Sequence, residues 1–252
     1  MEKGLVSIIT PIYNGARYVS QTIQSVLSQS YANWEMIIID DGSHDDSCLI
    51  INEFTKIEPR IQLFSQKNGG SAAARNNGIR RARGQYICLL DADDTWEPQF
   101  LQSQLTFMTQ NGALLACSSH RRIDDNSVEI LKPFVVPFKV GYQDLLRSCS
   151  ISCLTGIYDT EPFGKVYLKE EFKSLRDDYI YWLEIIKKVE FAYGNPEILA
   201  SYRMLNNSAT RKKSKLIVPQ FRVFHQVEKL GIIKSLYYLI SWALFGFLKY
   251  RK

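Results

Sequence analysis

The chain predicts an α/β fold with a mostly parallel central sheet flanked by helices, and three observations carry that expectation. Short apolar, β-branched runs alternate with helix-length segments through the first 120 residues. Two of those runs end directly in clusters of aspartate, at Asp40-Asp41 and at Asp91-Ala92-Asp93-Asp94. The composition, 46% hydrophobic and 23% charged over 252 residues, is that of a globular protein; collagen-like, low-complexity and disordered classes fall away.

In order, Val6-Ser7-Ile8-Ile9-Thr10 reads as the first strand, punctuated by Pro11 and Asn14-Gly15. Val19, Ile23, Val26 and Leu27 recur at helical spacing. Trp34 to Ile39 is a buried-strand run, Asp45 to Thr55 a helix, and Ile61 to Phe64 a short strand. Ser71 to Ala82 is a helix rich in Ala and Arg, and Tyr86 to Leu90 a strand. Between Ile123 and Ser174 the pattern weakens into short strands and loops. Asp177 to Val189 is helical again, with Trp182, Leu183, Ile185 and Ile186 as its apolar face, and Ile198 to Leu205 suits a last strand. Two helices are expected at the end, Lys215 to Leu230 and Ile232 to Lys249, parted by Gly231.

Charge divides the chain. Residues 203–252 hold eleven Lys and Arg against one acid, Glu228, a formal +10; the rest holds twenty against 25, a formal −5. An acidic body with a basic tail predicts two functional surfaces. The five cysteines form no CxxC, and no charged leader with an apolar stretch and cleavage site opens the sequence, so a reduced, cytoplasmic protein is expected.

In open α/β sheets ligands bind at the carboxyl ends of strands, which makes both acidic clusters candidate sites. Alternation along an extended backbone sends Asp91 and Asp93 to the same side, and two hard oxygen ligands there suit Mn²⁺ or Mg²⁺ shared with a substrate diphosphate. The same acids also suit caps for a helix beginning near Pro98. Asp40-Asp41-Gly42-Ser43 fits a base- or ribose-reading carboxylate, and equally a turn. Gly69-Gly70-Ser71 precedes a helix but lacks G-x-G-x-x-G and a P-loop Lys, which disfavours a Rossmann oxidoreductase. Arg75 and Asn76 lie in the first turns of that helix, where anions are favoured. His44, His120 and His225 show no zinc spacing, and no GxSxG elbow supports hydrolysis.

These pieces together resemble family-2 glycosyltransferases of the GT-A fold. The resemblance rests on Val6 to Asn14, Ser25 to Ser30, Asp40-Asp41-Gly42-Ser43, Ala74-Arg75-Asn76-Asn77-Gly78-Ile79, Ala82-Arg83-Gly84 and Leu90-Asp91-Ala92-Asp93-Asp94. Arg176-Asp177-Asp178-Tyr179 looks like the family's acidic "ED" segment, with Asp177 where Glu is usual. Ser201-Tyr202-Arg203 with Asn206-Asn207-Ser208 looks like its closing strand and loop, with Leu205 near where many relatives carry His. The later half is most similar to bacterial envelope-polysaccharide transferases of the teichuronic-acid and O-antigen type.

The resemblance implies an inverting transfer of one sugar from a UDP-sugar to a lipid-linked, undecaprenyl-diphosphate saccharide. It implies that Pro11, Tyr13, Asn14, Asp41, Arg75, Asn76, Asp91 and Ala92 hold the nucleotide-sugar, with Asp41 reading the uracil. Asp93 and Asp91 would hold Mn²⁺ or Mg²⁺, and Asp178 would be the general base. The QxxRW signature of processive synthases is absent, so one sugar per encounter is expected. Two rival readings are an inactive nucleotide-binding scaffold of the same fold and a nucleotidyltransferase. The second needs a basic phosphate-binding loop that Thr10 to Arg17 does not supply.

A catalytic domain is expected over residues 1–210, its nucleotide-sugar half over 1–120 and its acceptor-side half over 121–210. A basic amphipathic tail follows over 211–252. In the tail, Ser235 to Leu248 is 14 residues without charge, too short for the roughly 20 that span a bilayer. Its Tyr, Trp and Phe content and flanking Lys and Arg suit a helix lying on the cytoplasmic membrane surface, or one packed on the body. No nucleic-acid-binding motif accompanies the charge.

Overall fold

The computed structural model describes residues 1–172, 176–205 and 216–249. The elements are β1 (Glu2–Ile12), α1 (Val19–Leu27), β2 (Trp34–Asp40), α2 (Ser47–Ile57), β3 (Ile61–Ser65), α3 (Ser71–Arg81), β4 (Gly84–Leu89), β5 (Thr95–Trp96) and α4 (Phe100–Asn111). They continue with β6 (Leu115–Ile123), β7 (Glu129–Phe134), β8 (Lys139–Gly141), α5 (Tyr142–Arg147), β9 (Ile157–Asp159), α6 (Asp177–Val189), β10 (Phe191–Arg203), α7 (Ile217–Arg222) and α8 (Gly231–Lys249).

One sheet runs β3-β2-β1-β4-β9-β6-β10-β5, with β7 on β6 and β8 on β10. The ladders β3-β2, β2-β1 and β1-β4 are parallel, as βαβ connections require. β9 is antiparallel to both of its neighbours, and β10 is parallel to β6. Reversing twice through β9 returns the chain direction, so β1, β2, β4, β6 and β10 all end at one edge. That edge gathers Ile12, Asp40, Asp91 and Arg203.

Alternation along the strands splits the core into two layers. Ile9, Ile37, Ile39, Ile87 and Leu89 pack with α3, α5 and α6 on one face; Val6, Ile8, Met36, Ile38 and Cys88 pack with α1, α2 and α4 on the other. Complete burial of side chains such as Leu183 and Ile8 stabilises the layers by about 1.5–3 kcal/mol each. Gly78 lets α3 lie directly on β1, because a Cβ there would meet Ile9 Cγ2 at 2.5 Å.

Two departures from expectation have physical causes. β6, near the sheet centre, reads as polar from Ser118 onward, yet Ser118, Ser119, His120 and Arg122 are all buried. The helix expected near Pro98 is α4, which begins at Phe100 with Gln99 as its N-cap; Thr95–Trp96 pairs with β10 ahead of it, so Asp91 to Asp94 are not its caps. The 120/121 boundary falls inside β6. The 210/211 boundary, Asn206-Asn207-Ser208 and the basic run Arg211 to Lys215 lie outside the described residues.

No described helix is long and apolar enough to cross a membrane. α8 is apolar on two sides. Tyr238, Leu239 and Trp242 pack on the core layer under α5 and α6, while Ile233, Leu236, Tyr237, Ile240 and Leu244 face outward.

Candidate active site

The first acidic cluster is closed by donors. Asp41, at the end of β2, is buried and accepts the Gln66 amide and the backbone N–H groups of Gly69 and Gly70, each at 2.8 Å. Gly70 stands at φ +88°, a conformation open to glycine, and this turn aims both amides at the carboxylate. Asp41 thus pins the start of α3. The loop after β1 is tied to the loop after β2: the Asn14 amide donates to Ser43 Oγ at 2.9 Å, and His44 N–H donates to Asn14 Oδ1 at 2.8 Å. Tyr13 stands exposed beside it, and Pro11 pairs within β1 against Ile39.

The second cluster is short of donors. Arg75, buried on α3, donates to Asp91 Oδ1 at 2.6 Å and to Asp177 Oδ2 at 3.1 Å. Ser71 Oγ donates to the same Asp177 oxygen at 3.1 Å. Arg75 therefore joins the acid after β4 to the first acid of α6. Charge-assisted bonds of this kind fix direction as well as energy. Asp177 reaches both groups despite being one methylene shorter than Glu.

Asp178 takes a different position. It accepts the Tyr179 amide at 2.8 Å, and among the described residues its other oxygen meets no donor. Burial first, then the charge of Asp177, pushes its carboxyl above the usual range; Arg176 and Arg75 pull back. Asp93 is pushed up to about 6, by burial and then by Asp91. Asp94 is also pushed well above the usual carboxylate range, by burial and then by its acidic neighbours Asp93 and Asp91, and accepts the Arg203 amide at 2.8 Å.

Arg203 is a residue whose role sequence reasoning missed. Its Nε donates to the Asp93 carbonyl at 2.9 Å and its Nη2 to Gln21 at 2.8 Å, and it stacks 4.5 Å from the Tyr18 ring. It clasps the Asp91–Asp94 turn to α1; an Arg closing a strand that runs to the site edge was the signal available. Thr22 Oγ1 adds bonds to the Ala92 and Asp94 carbonyls at 2.9 and 2.8 Å. Asn76 departs from its expected place: its side chain bonds Leu168 N–H and C=O and Glu170, holding the 168–170 segment. One turn position on from Arg75, it faces away from the acids.

Among the described residues no group of three or more His, Cys, Asp or Glu forms a metal cage. Asp93 and the free oxygen of Asp91 still fit a cation that takes one or two carboxylates and fills its remaining sites with phosphate oxygens and water. Among the described residues no other residue donates a hydrogen bond to the Asp93 carboxylate, and burial and the Asp91 charge outweigh the pull of Arg203 and Arg75 on it.

The sequence model of glycosyl transferase family 2 matches residues 7–182, most of the chain and all of these acids. The chain belongs to this family. A putative teichuronic acid biosynthesis glycosyltransferase, TuaG of Bacillus subtilis, is 36% identical over 242 residues, 96% of this chain and 95% of the relative. WfgD of Escherichia coli, a UDP-Glc:alpha-D-GlcNAc-diphosphoundecaprenol beta-1,3-glucosyltransferase, is 34% identical over 99% of this chain and 96% of its own length. S. aureus TarS 1–349 in complex with UDP-GlcNAc superposes with a TM-score of 0.70 at 16% identity, covering 86% of this chain and 65% of that 1–349 chain. The mannosyltransferase PcManGT of Pyrobaculum calidifontis, solved with GDP-Man and Mn²⁺, superposes at 0.61 and 16% identity over 88% of this chain and 62% of that one. Family-2 membership and the GT-A fold thus agree with the sequence reading.

Proposed function

We propose that this glycosyltransferase moves one sugar from a UDP-sugar to a lipid-linked, diphosphate-bearing saccharide, with inversion and one sugar per encounter, in cell-surface polysaccharide synthesis. The observation that carries the reading is the Arg75 bridge, which ties the acid at the end of β4 to the acid pair opening α6. Donor diphosphate and acceptor hydroxyl then meet on one wall. The names of WfgD and the 32% identical WfaP, both UDP-Glc:alpha-D-GlcNAc-diphosphoundecaprenol beta-1,3-glucosyltransferases of Escherichia coli, support the substrate class and put UDP-glucose first among donors.

In this reading Asp178 is the general base, the one acid of the α6 pair not engaged by Arg75. It takes the proton from the acceptor hydroxyl as that oxygen attacks the anomeric carbon, and UDP leaves from the opposite face. Asp93 and Asp91 hold Mn²⁺ or Mg²⁺, which when bound supplies a Lewis acid for the diphosphate. The loops around Pro11, Tyr13, Asn14, Asp41 and Ala92 form the nucleoside side. Arg75 acts there by orienting Asp91, and Asp41 by holding the Gly69–Gly70 turn.

The donor- and base-side groups all lie within residues 1–210, and the 211–252 tail meets the inner face of the cytoplasmic membrane through the outward side of α8, whose other side packs on the catalytic body. Ile233, Ile240 and Leu244, each more than half exposed, support this reading.

The deciding experiment is UDP release across a panel of UDP-sugars with Mn²⁺, with and without a synthetic GlcNAc-diphosphate lipid. Release from one donor, raised by the acceptor and lost on chelation, is expected. UDP binding without release from any donor would instead favour the inactive scaffold.

A further inference from the structure

α6 presents Asp178 at its first turn, and the C-terminal elements grip this helix at both ends. At its far end Glu228, whose side chain is 1% exposed, accepts from the Tyr142 hydroxyl of α5 and pairs with Lys187 of α6 at 2.9 Å. At its near end Phe224 meets the Tyr179 ring edge-on at 6.4 Å, and Tyr238 of α8 lies 5.9 Å from Phe224.

Arg176, immediately before the two acids, is the most constrained residue of this region. Its φ is +70°, a left-handed conformation costing a non-glycine residue of order 1 kcal/mol or more, which the surroundings must hold. Its guanidinium sits 4.6 Å from the Tyr179 ring and 5.2 Å from the Trp242 ring of α8. Among the described residues its buried Nε and Nη2 find no hydrogen-bond acceptor. Two aromatic faces and the neighbouring Asp178 charge hold this side chain, and one of the faces belongs to the tail.

We infer that Trp242 is a positioning residue: by stacking on Arg176 it holds the turn that presents Asp178, so α8 is part of the active-site wall and not a separable anchor. This rests on the reading of Asp178 as the base. It assigns the two sides of α8 different work, since Trp242 faces the body while Ile240 and Leu244 face outward.

The test compares full-length Trp242→Ala, Trp242→Phe and Arg176→Gln with an outward-face control, Ile240→Ser/Leu244→Ser. Hydrogen exchange of the first α6 turn, read without substrate, is expected to quicken about tenfold in Trp242→Ala and to stay near wild type in Trp242→Phe and the control. With a water-soluble acceptor and no vesicles, Trp242→Ala is expected to lose about tenfold in kcat, with UDP affinity unchanged.

The charged groups facing Asp178 are Arg176 and Asp177 beside it and Arg75 from α3, with the Cys153 thiol nearby. Displacing Arg176 removes a positive charge, so the acid limb of kcat moves to higher pH in Trp242→Ala and Arg176→Gln; a merely destabilised protein would lose amplitude without that movement. If Trp242→Ala does not fold, Arg176→Gln carries the pH test.

Wild-type exchange and an unmoved limb would overturn the inference, and so would an equal loss in the outward-face control. Should the wild type transfer no sugar at all, the assigned reaction fails, while exchange still decides whether Trp242 holds the turn.

Discussion

The two strand-end acidic clusters look alike in sequence and differ in what surrounds them. Asp41 is buried among three donors, two of them backbone amides of a glycine turn, and is consumed in holding that turn. Among the described residues the five acids of the Asp91–Asp94 and Asp177–Asp178 clusters draw on the Arg75 guanidinium, the Ser71 hydroxyl and a few amides, and Asp93, Asp94 and Asp178 are all pushed toward protonation. A carboxylate with both oxygens engaged by donors is a structural fitting. A buried one left short of donors costs the folded state stability and is where chemistry is to be sought.

The sharpest way to break this comparison is to neutralise the acid that lacks a donor. Asp178→Asn keeps shape and removes the base; transfer is expected to fall by about 10²–10⁴-fold with UDP binding within twofold of wild type. Wild-type kcat would move the base elsewhere. Next in size is Arg75→Met, which strands Asp91 and Asp177 without their shared cation. Removing one partner of a buried pair costs about 3–5 kcal/mol, read as a lowered midpoint in urea, together with loss of transfer. An unchanged midpoint would mean that solvent reaches those acids.

Much of the fold was legible because the first four strands carry apolar runs separated by periodic helices, although β1 extends past its Val6–Thr10 run to Glu2 and Ile12; α6 begins and ends where its pattern does, at Asp177 and Val189. β6 was not legible, since its buried Ser118, Ser119, His120 and Arg122 read as surface. β10 starts seven residues before the expected Ile198, because Phe191 to Pro196 carries Gly, Asn and Pro that mimic a loop. For the site, the acids were legible and their partners were not. Nothing local says that Arg75 reaches an acid 102 positions away, that Asn76 turns to Leu168, or that Arg203 closes on Asp93 and Asp94. Those are products of the shared strand edge.

A smaller effect is expected on the donor-filled side. Asp41→Asn puts an amide where three donors converge, so one N–H group loses its acceptor; the cost is about 1–3 kcal/mol of stability. UDP affinity should weaken only as far as the Gly69–Gly70 turn loosens. A loss of UDP binding at full stability would show that Asp41 reads the base directly.

The smallest and most discriminating effect concerns the sign of a charge. Asp178 has a folded-state pKa above its unfolded value, raised by burial and by Asp177. Above both values the folded state holds a carboxylate that the unfolded chain accommodates better, so ionisation there subtracts stability; as pH falls through the folded pKa the penalty disappears. Asp178→Asn carries no such penalty. It is therefore expected to unfold at a higher temperature than the wild type at pH 7, with the gap closing toward acid, even as it loses transfer. The acid limb of wild-type kcat should likewise lie above the pH at which an ordinary aspartate titrates. A variant less stable than wild type at pH 7 would mean that Arg176 and Arg75 already compensate Asp178, and the contrast with Asp41 would then vanish.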